Sequence, residues 1–99
     1  MNFKNVYYIV KNKTYVGNIM FDNNEIIFET DKKSVNDEYC KIEIPIRDID
    51  KTKLKKCIVS ESNFQTIIIE AKNDKYKFQF NFYDEYEKFI KMVENKNLT

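Results

Sequence analysis

The chain has 99 residues, 42% hydrophobic and 33% charged, which suits one compact globular domain and excludes both a disordered chain and two independent cores. Its 17 basic and 16 acidic residues leave a net charge of +1, so no whole-chain field favours nucleic acid and any anion site must be local. The absence of histidine excludes Ser-His-Asp, Cys-His and His-ligated metal chemistry, and the single glycine excludes a glycine-rich phosphate loop.

Residues 3–10 are rich in aromatic and β-branched side chains and read as a first strand, which Lys11-Asn12-Lys13 interrupts as a polar turn. Residues 15–21 resume with Val16, Ile19, Met20 and Phe21, and Asp22-Asn23-Asn24 follows with side chains that tolerate a left-handed turn. Residues 25–30 form a third strand around Ile26, Ile27 and Phe28, completing an antiparallel meander. Residues 31–38 read as a solvated loop with a lone Val35.

Residues 40–46 set Ile42, Ile44 and Ile46 on one face and Lys41 and Glu43 on the other, a half-buried strand. Pro45 places it at an edge or ends it. A fifth strand at 54–60 has poor alternation. A hairpin turning near Asp50 would set Cys57 opposite Glu43 and Cys40 opposite Ser60, leaving two separate thiols with no metal-ligand spacing. Residues 64–71 and 75–82 make the clearest hairpin, around Lys72-Asn73-Asp74. In its second arm Tyr76, Phe78, Phe80 and Phe82 alternate with polar residues.

The period then changes from 2 to about 3.6. Tyr86, Phe89, Ile90 and Val93 form one apolar helical stripe, with Asp84 as the expected N-cap and Glu87 as its reciprocal carboxylate. Asp84 with Lys88 and Glu87 with Lys91 are expected surface pairs, and residues 95–99 are expected to fray. The expectation is one domain over 1–99, mainly β, with strands within 3–82 and a helix over about 84–95. Seven antiparallel strands would form a sandwich or partly open barrel capped by one C-terminal helix.

Seven strands closed by one C-terminal helix is the order of the pleckstrin-homology superfold. Two stretches sharpen that likeness. The run 17–28, GNIMFDNNEIIF, resembles the opening of a GRAM domain, where a glycine starts a strand, a polar turn follows and a second strand begins with aliphatic and aromatic residues. The run Ile44-Pro45-Ile46-Arg47-Asp48-Ile49 resembles that family's aliphatic-Pro-aliphatic strand leading to an Asp-Ile pair. The resemblance implies a small PH-like binding module. The chain departs from the pattern at Glu25, where GRAM domains often carry an arginine.

Two charge features are candidate anion or lipid contacts. Lys51, Lys53, Lys55 and Lys56 would form a basic stripe if they alternate along a strand, worth about 1 kcal/mol per lysine at an anionic surface. Lys11 and Lys13 occupy the loop that phosphoinositide-binding PH domains use, but residues 15–18 add no arginine or lysine, and two lysines lack the bidentate fork of arginine. Asp48 and Asp50 flank Ile49 beside Arg47 and Lys51, a turn whose charges are neutralised locally.

Tyr7 and Tyr8 must face opposite sides of a strand, so one is exposed as an interface anchor. Tyr8 therefore joins Leu54, Cys57 and Val59 as the candidate edge for a peptide or partner, since superfold members accept an extended peptide between the fifth strand and the helix. No apolar run approaches the roughly 20 residues of a membrane helix, and Met1-Asn2-Phe3-Lys4 lacks a secretion signal's apolar core. Asn, Lys and Ile make up about two-fifths of the chain, the bias of an AT-rich, bacterial coding genome.

The expectation is thus a cytoplasmic bacterial protein without enzymatic activity or cofactor. It would dock a protein partner or self-associate through an edge strand. Peripheral attachment to anionic membrane is the alternative, and an enzyme using the acidic residues is the third class.

Overall fold

A computed structural model describes residues 2–30, 39–59 and 64–95, including their side chains except at 57–59 and 64. The expected loop 31–38, Ser60 and residues 96–99 lie outside the described residues. The strands are Asn2–Val10 (β1), Lys13–Asp22 (β2), Glu25–Thr30 (β3), Lys41–Pro45 (β4), Lys55–Val59 (β5), Phe64–Ala71 (β6) and Asp74–Phe80 (β7), followed by one helix, Tyr83–Asn95 (α1).

All seven strands belong to one antiparallel sheet in the order β4-β3-β2-β1-β7-β6-β5. Central β1 joins the two runs of consecutive strands by pairing with β7 at Tyr7↔Gln79 and Tyr8↔Phe78. Strands β4 and β5 end the sheet without pairing to each other, so it stays open.

The expected hairpin around Asp50 therefore does not form. Ile44 pairs with Ile26 and Cys57 with Thr66, which puts Cys40 and Cys57 toward opposite edges. The intervening segment is too structured to be a tight turn. It makes two 3₁₀ turns, Ile46–Asp48 and Lys51–Lys53. The Ile46 N–H donates to the Asn24 carbonyl at 2.8 Å and the Asp50 N–H to the Glu70 carbonyl at 2.9 Å, so the segment runs from the β2–β3 turn to the far end of β6.

The short turns follow the side chains that the sequence supplies. Lys11 (φ 49°) and Asn12 (φ 63°) link Val10↔Lys13, and Lys72 (φ 49°) and Asn73 (φ 69°) link Ala71↔Asp74. Two consecutive left-handed residues make the type I′ loop whose twist matches its flanking strands.

The sheet curls at one corner for two coupled reasons. Between Phe3↔Ile19 and Val6↔Gly17 the first strand spends one residue more than the second, a bulge that places Asn5 at φ 58°. Directly across it, Gly17 pairs with both Val6 and Thr30. A Cβ at Gly17 would lie 2.2 Å from the Glu29 carbonyl oxygen. Gly17 thus lies inside β2 and permits a close backbone approach, rather than starting a strand.

The curl brings distant strands together. Phe28 and Phe78 have two strands between them, about 14 Å in a flat sheet. Their ring centroids are 5.9 Å apart.

The helix seals this core with the stripe that its spacing foretells: Tyr86, Phe89, Ile90 and Val93 are all buried. The Phe89 ring lies 5.6 Å from Phe3, 5.6 Å from Phe21 and 5.0 Å from Phe80. Such side chains contribute about 2 kcal/mol each on burial.

Three expectations near the helix are corrected. The Phe82 carbonyl accepts the Tyr86 N–H at 3.1 Å and α1 begins at Tyr83, so Asp84 is not the N-cap but a first-turn carboxylate facing the helix dipole. Strand β7 ends at Phe80, which leaves Phe82 66% exposed instead of in the core. Glu87–Lys91 forms at 3.0 Å, whereas the described residues contain no Asp84–Lys88 ion pair. No described helix is long and apolar enough to cross a membrane.

Candidate functional site

The two sheet edges differ physically. On β4, Pro45 has no N–H, the next N–H is committed to Asn24, and Lys41 and Glu43 pair at 3.7 Å, all devices that discourage added strands. Strand β5 is proline-free and pairs only with β6, so among the described residues its outer edge presents unpaired backbone groups.

Helix α1 packs on β6 and β7 and reaches β5 through one ion pair. The Tyr86 hydroxyl donates to the Thr66 carbonyl of β6 at 3.2 Å, and the Lys56 ammonium meets Glu94 Oε2 at 3.3 Å. Phe80, Gln65 and Ile58 lie in one row across β7, β6 and β5. Tyr86 near the start of α1 is thus tied to β6 at Thr66, the partner of Cys57, and Glu94 at the end of the helix lies by Lys56.

The four residues named for this edge divide. Leu54 precedes β5 and is half-buried against the core, so it anchors the strand rather than facing a partner. Cys57 and Val59 hold edge positions through their backbone, and their side chains lie outside the described set. Tyr8 is corrected outright. It lies on the central strand, 2% exposed, with its ring 5.2 Å from Phe78 and 5.4 Å from Phe28; its neighbour Tyr7 is the half-buried one on the outer face.

The lysines do not form a stripe. Lys51 and Lys53 occupy a 3₁₀ turn, and Lys55 and Lys56 are consecutive on β5 and so face opposite sides. The Lys51 ammonium donates to the Glu94 carbonyl, satisfying a group that the end of α1 leaves open. Lys53 pairs with Asp50 at 3.9 Å, and Lys56 with Glu94. Lys11 sits 5.8 Å from the Tyr39 ring centroid, and exposed Lys13 opens β2 beside it.

The acidic residues serve the same connection. Asp50 accepts the Thr52 hydroxyl at 2.6 Å and the Thr52 N–H at 3.0 Å, and the hydroxyl bond chiefly holds its carboxyl below the ordinary range. Asp48 meets Lys72 at 3.6 Å. On the outer face a hollow of about 260 Å³ between Lys4, Met20, Ile27 and Glu29 carries both signs of charge, with Asn2, Asn18 and Thr30 also in its lining.

Sequence reasoning missed a tyrosine cluster. Tyr8 has Tyr15, Tyr39 and Tyr76 each at 6.4 Å, filling the core beside the β1–β2 hairpin. The Tyr8–Tyr15 contact was recoverable, because the two residues pair directly across the Lys11-Asn12 turn. Tyr39 arrives through a connection that no local pattern specifies.

Burial, then the neighbouring Tyr76 and Tyr39, pushes the Tyr8 phenol up to about 12. An acid whose folded pKa lies above its unfolded value of about 10 stabilises the fold below pH 10 and loses that contribution up to pH 12. The chain is expected to lose about 2 kcal/mol across this window, and Tyr8→Phe should flatten that part of the curve. Urea midpoints from pH 9 to 12 check this; the same slope in both proteins would refute it.

The chain matches no protein-family model, and no curated protein is similar to it in sequence.

Proposed function

We propose that this chain is a non-enzymatic binding module of pleckstrin-homology or GRAM-like design, which docks a protein partner by accepting an extended segment on the outer edge of β5. The observation that carries the reading is the proline-free edge of β5, unpaired among the described residues, set against a β4 edge blunted by Pro45 and its neighbours. In such a complex main-chain hydrogen bonds provide affinity and alternate side chains provide specificity. The strand order and the single closing helix support the PH-like design. Self-association is the same chemistry with a second copy's β5 as the added strand.

Attachment to anionic membrane is the weaker reading, because Lys51, Lys53 and Lys56 are each engaged within the chain. Phosphatidylserine vesicles are expected to sediment no more protein than neutral ones; a salt-sensitive excess would favour the membrane.

The test is selection of short linear peptides from a random displayed library on the full-length chain, followed by proline replacement. Neighbouring residues of an antiparallel edge strand direct their N–H groups alternately inward and outward. Of Cys57→Pro and Ile58→Pro, one should therefore destabilise the sheet, while the other keeps the fold and weakens peptide binding at least about tenfold. A folded variant of each kind binding as well as wild type overturns the reading.

A further inference from the structure

The backbone of β5 offers the same hydrogen bonds to any extended segment, so side chains at the edge decide which segment it takes. The strand register places two of them. Lys56 lies opposite Ile67, whose side chain is fully buried, so it stands on the core side, where it meets Glu94 at 3.3 Å. Lys55 lies opposite half-buried Ile68 and stands on the outer face, exposed, in a row that continues through Ile68 to Lys77 of β7.

Charge is unbalanced at this end of the strand. Lys51 donates to the Glu94 carbonyl, Lys53 meets Asp50 at 3.9 Å and Lys56 takes the Glu94 carboxylate, whereas Lys55 has no ion-pair or hydrogen-bond partner among the described residues. On the same face of β6, Glu70 lies diagonal to Lys55 and directly across from Lys75 of β7.

A strand added at this edge sets one of its own residues opposite Lys55 on the outer face. A neutral residue there leaves a partly desolvated ammonium unpaired, and a basic one repels it. An aspartate or glutamate turns the same lysine from a deterrent against stray strands into a selective contact.

From the register of β5 and the cation left over at its Lys55 end, we infer that the segment docked on this edge is acidic, with an aspartate or glutamate opposite Lys55. The occupant is a segment of another protein, because the β5 of a second copy reads KKCIV and contains no carboxylate. Lys77 is the distance reference: three strand spacings, about 14 Å, separate it from the added strand, beyond the screening length of about 8 Å at physiological ionic strength. The inference rests on the β5-edge reading for the partner's place and on Lys55 for its charge.

The probe is the set of peptides that wild type selects from the random library, measured by fluorescence anisotropy at physiological ionic strength. Aspartate or glutamate should be enriched at one position. Lys55→Glu should weaken binding by about fivefold and Lys77→Glu by less than about twofold. Replacing the enriched acid by lysine should weaken binding to wild type and restore it to Lys55→Glu, a reciprocal recovery that damage to the fold does not produce. Lys55→Gln, which removes only the attraction, should cost about twofold and serves if thermal unfolding shows that the reversal does not fold.

Peptides that protect β5 amides from exchange but are neutral or basic, or that bind the folded Lys55 variants like wild type, overturn this inference and leave the edge reading standing. Equal losses in Lys55→Glu and Lys77→Glu would assign the attraction to the outer face at large and overturn it too. Selected peptides that leave β5 unprotected overturn the edge reading itself. A wild-type dimer whose β5 amides are protected without peptide would make the occupant a second copy and overturn the inferred acidic segment.

Discussion

Gly17→Ala is expected to cost at least about 3 kcal/mol, enough to lower the thermal midpoint of a chain this size by more than about 12 °C. The new Cβ would stand 2.2 Å from the Glu29 carbonyl oxygen and 2.7 Å from the Thr30 Cα, both backbone atoms of β3. A flexible side chain could turn aside; a ladder of hydrogen-bonded backbone cannot. Relief would require β2 and β3 to separate at Gly17↔Thr30, beside the Asn5 bulge that curls the sheet. Urea denaturation monitored by circular dichroism checks the value, and an unchanged midpoint would contradict the close approach.

The second large effect separates two phenylalanines seven residues apart. Phe89→Ala should destabilise by about 3–5 kcal/mol, because a fully buried ring packed on Phe3, Phe21, Phe78 and Phe80 leaves a cavity that rigid strands cannot fill. Phe82→Ser should stay within about 0.5 kcal/mol of wild type, since its ring is already largely in water. Equal losses would mean that the helix does not seal the sheet with this face.

Local periodicity carried much of the architecture. Alternation along β7 identified Phe78 and Phe80 as core, and the i, i+3, i+4, i+7 stripe picked out all four residues that α1 buries. Asn12, Asn23 and Asn73 marked turns because asparagine tolerates the positive φ that each adopts. The same logic ran one residue pair too far at Phe82. The 2-residue period continues there in sequence, but nothing local reports that hydrogen bonding to β6 ends at Phe80.

Long-range choices were not legible. Whether β5 pairs with β4 or β6 depends on how the segment from Ile46 to Leu54 is bonded to Asn24 and Glu70, two sites far apart in the chain. Without that path the four lysines look like a stripe. With it, Lys51 and Lys56 converge on Glu94 and Lys53 turns to Asp50. The neighbours of Gly17 mark the GRAM-like run, whereas its physical role, the close approach to β3, depends on a strand pairing that they do not specify. Tyr8 shows how a pair of adjacent tyrosines fixes that they face opposite ways, yet not which one faces the core.

The central claim is that the outer edge of β5 takes an added strand. Its most direct test is amide hydrogen exchange, residue by residue by NMR, on the full-length chain with and without a saturating selected peptide. Backbone amides in Lys55–Val59 that point away from β6 should slow by at least about a hundredfold, with those of Lys41–Pro45 unchanged. Unaltered exchange in β5 at saturation, or protection confined to β4, would contradict the account.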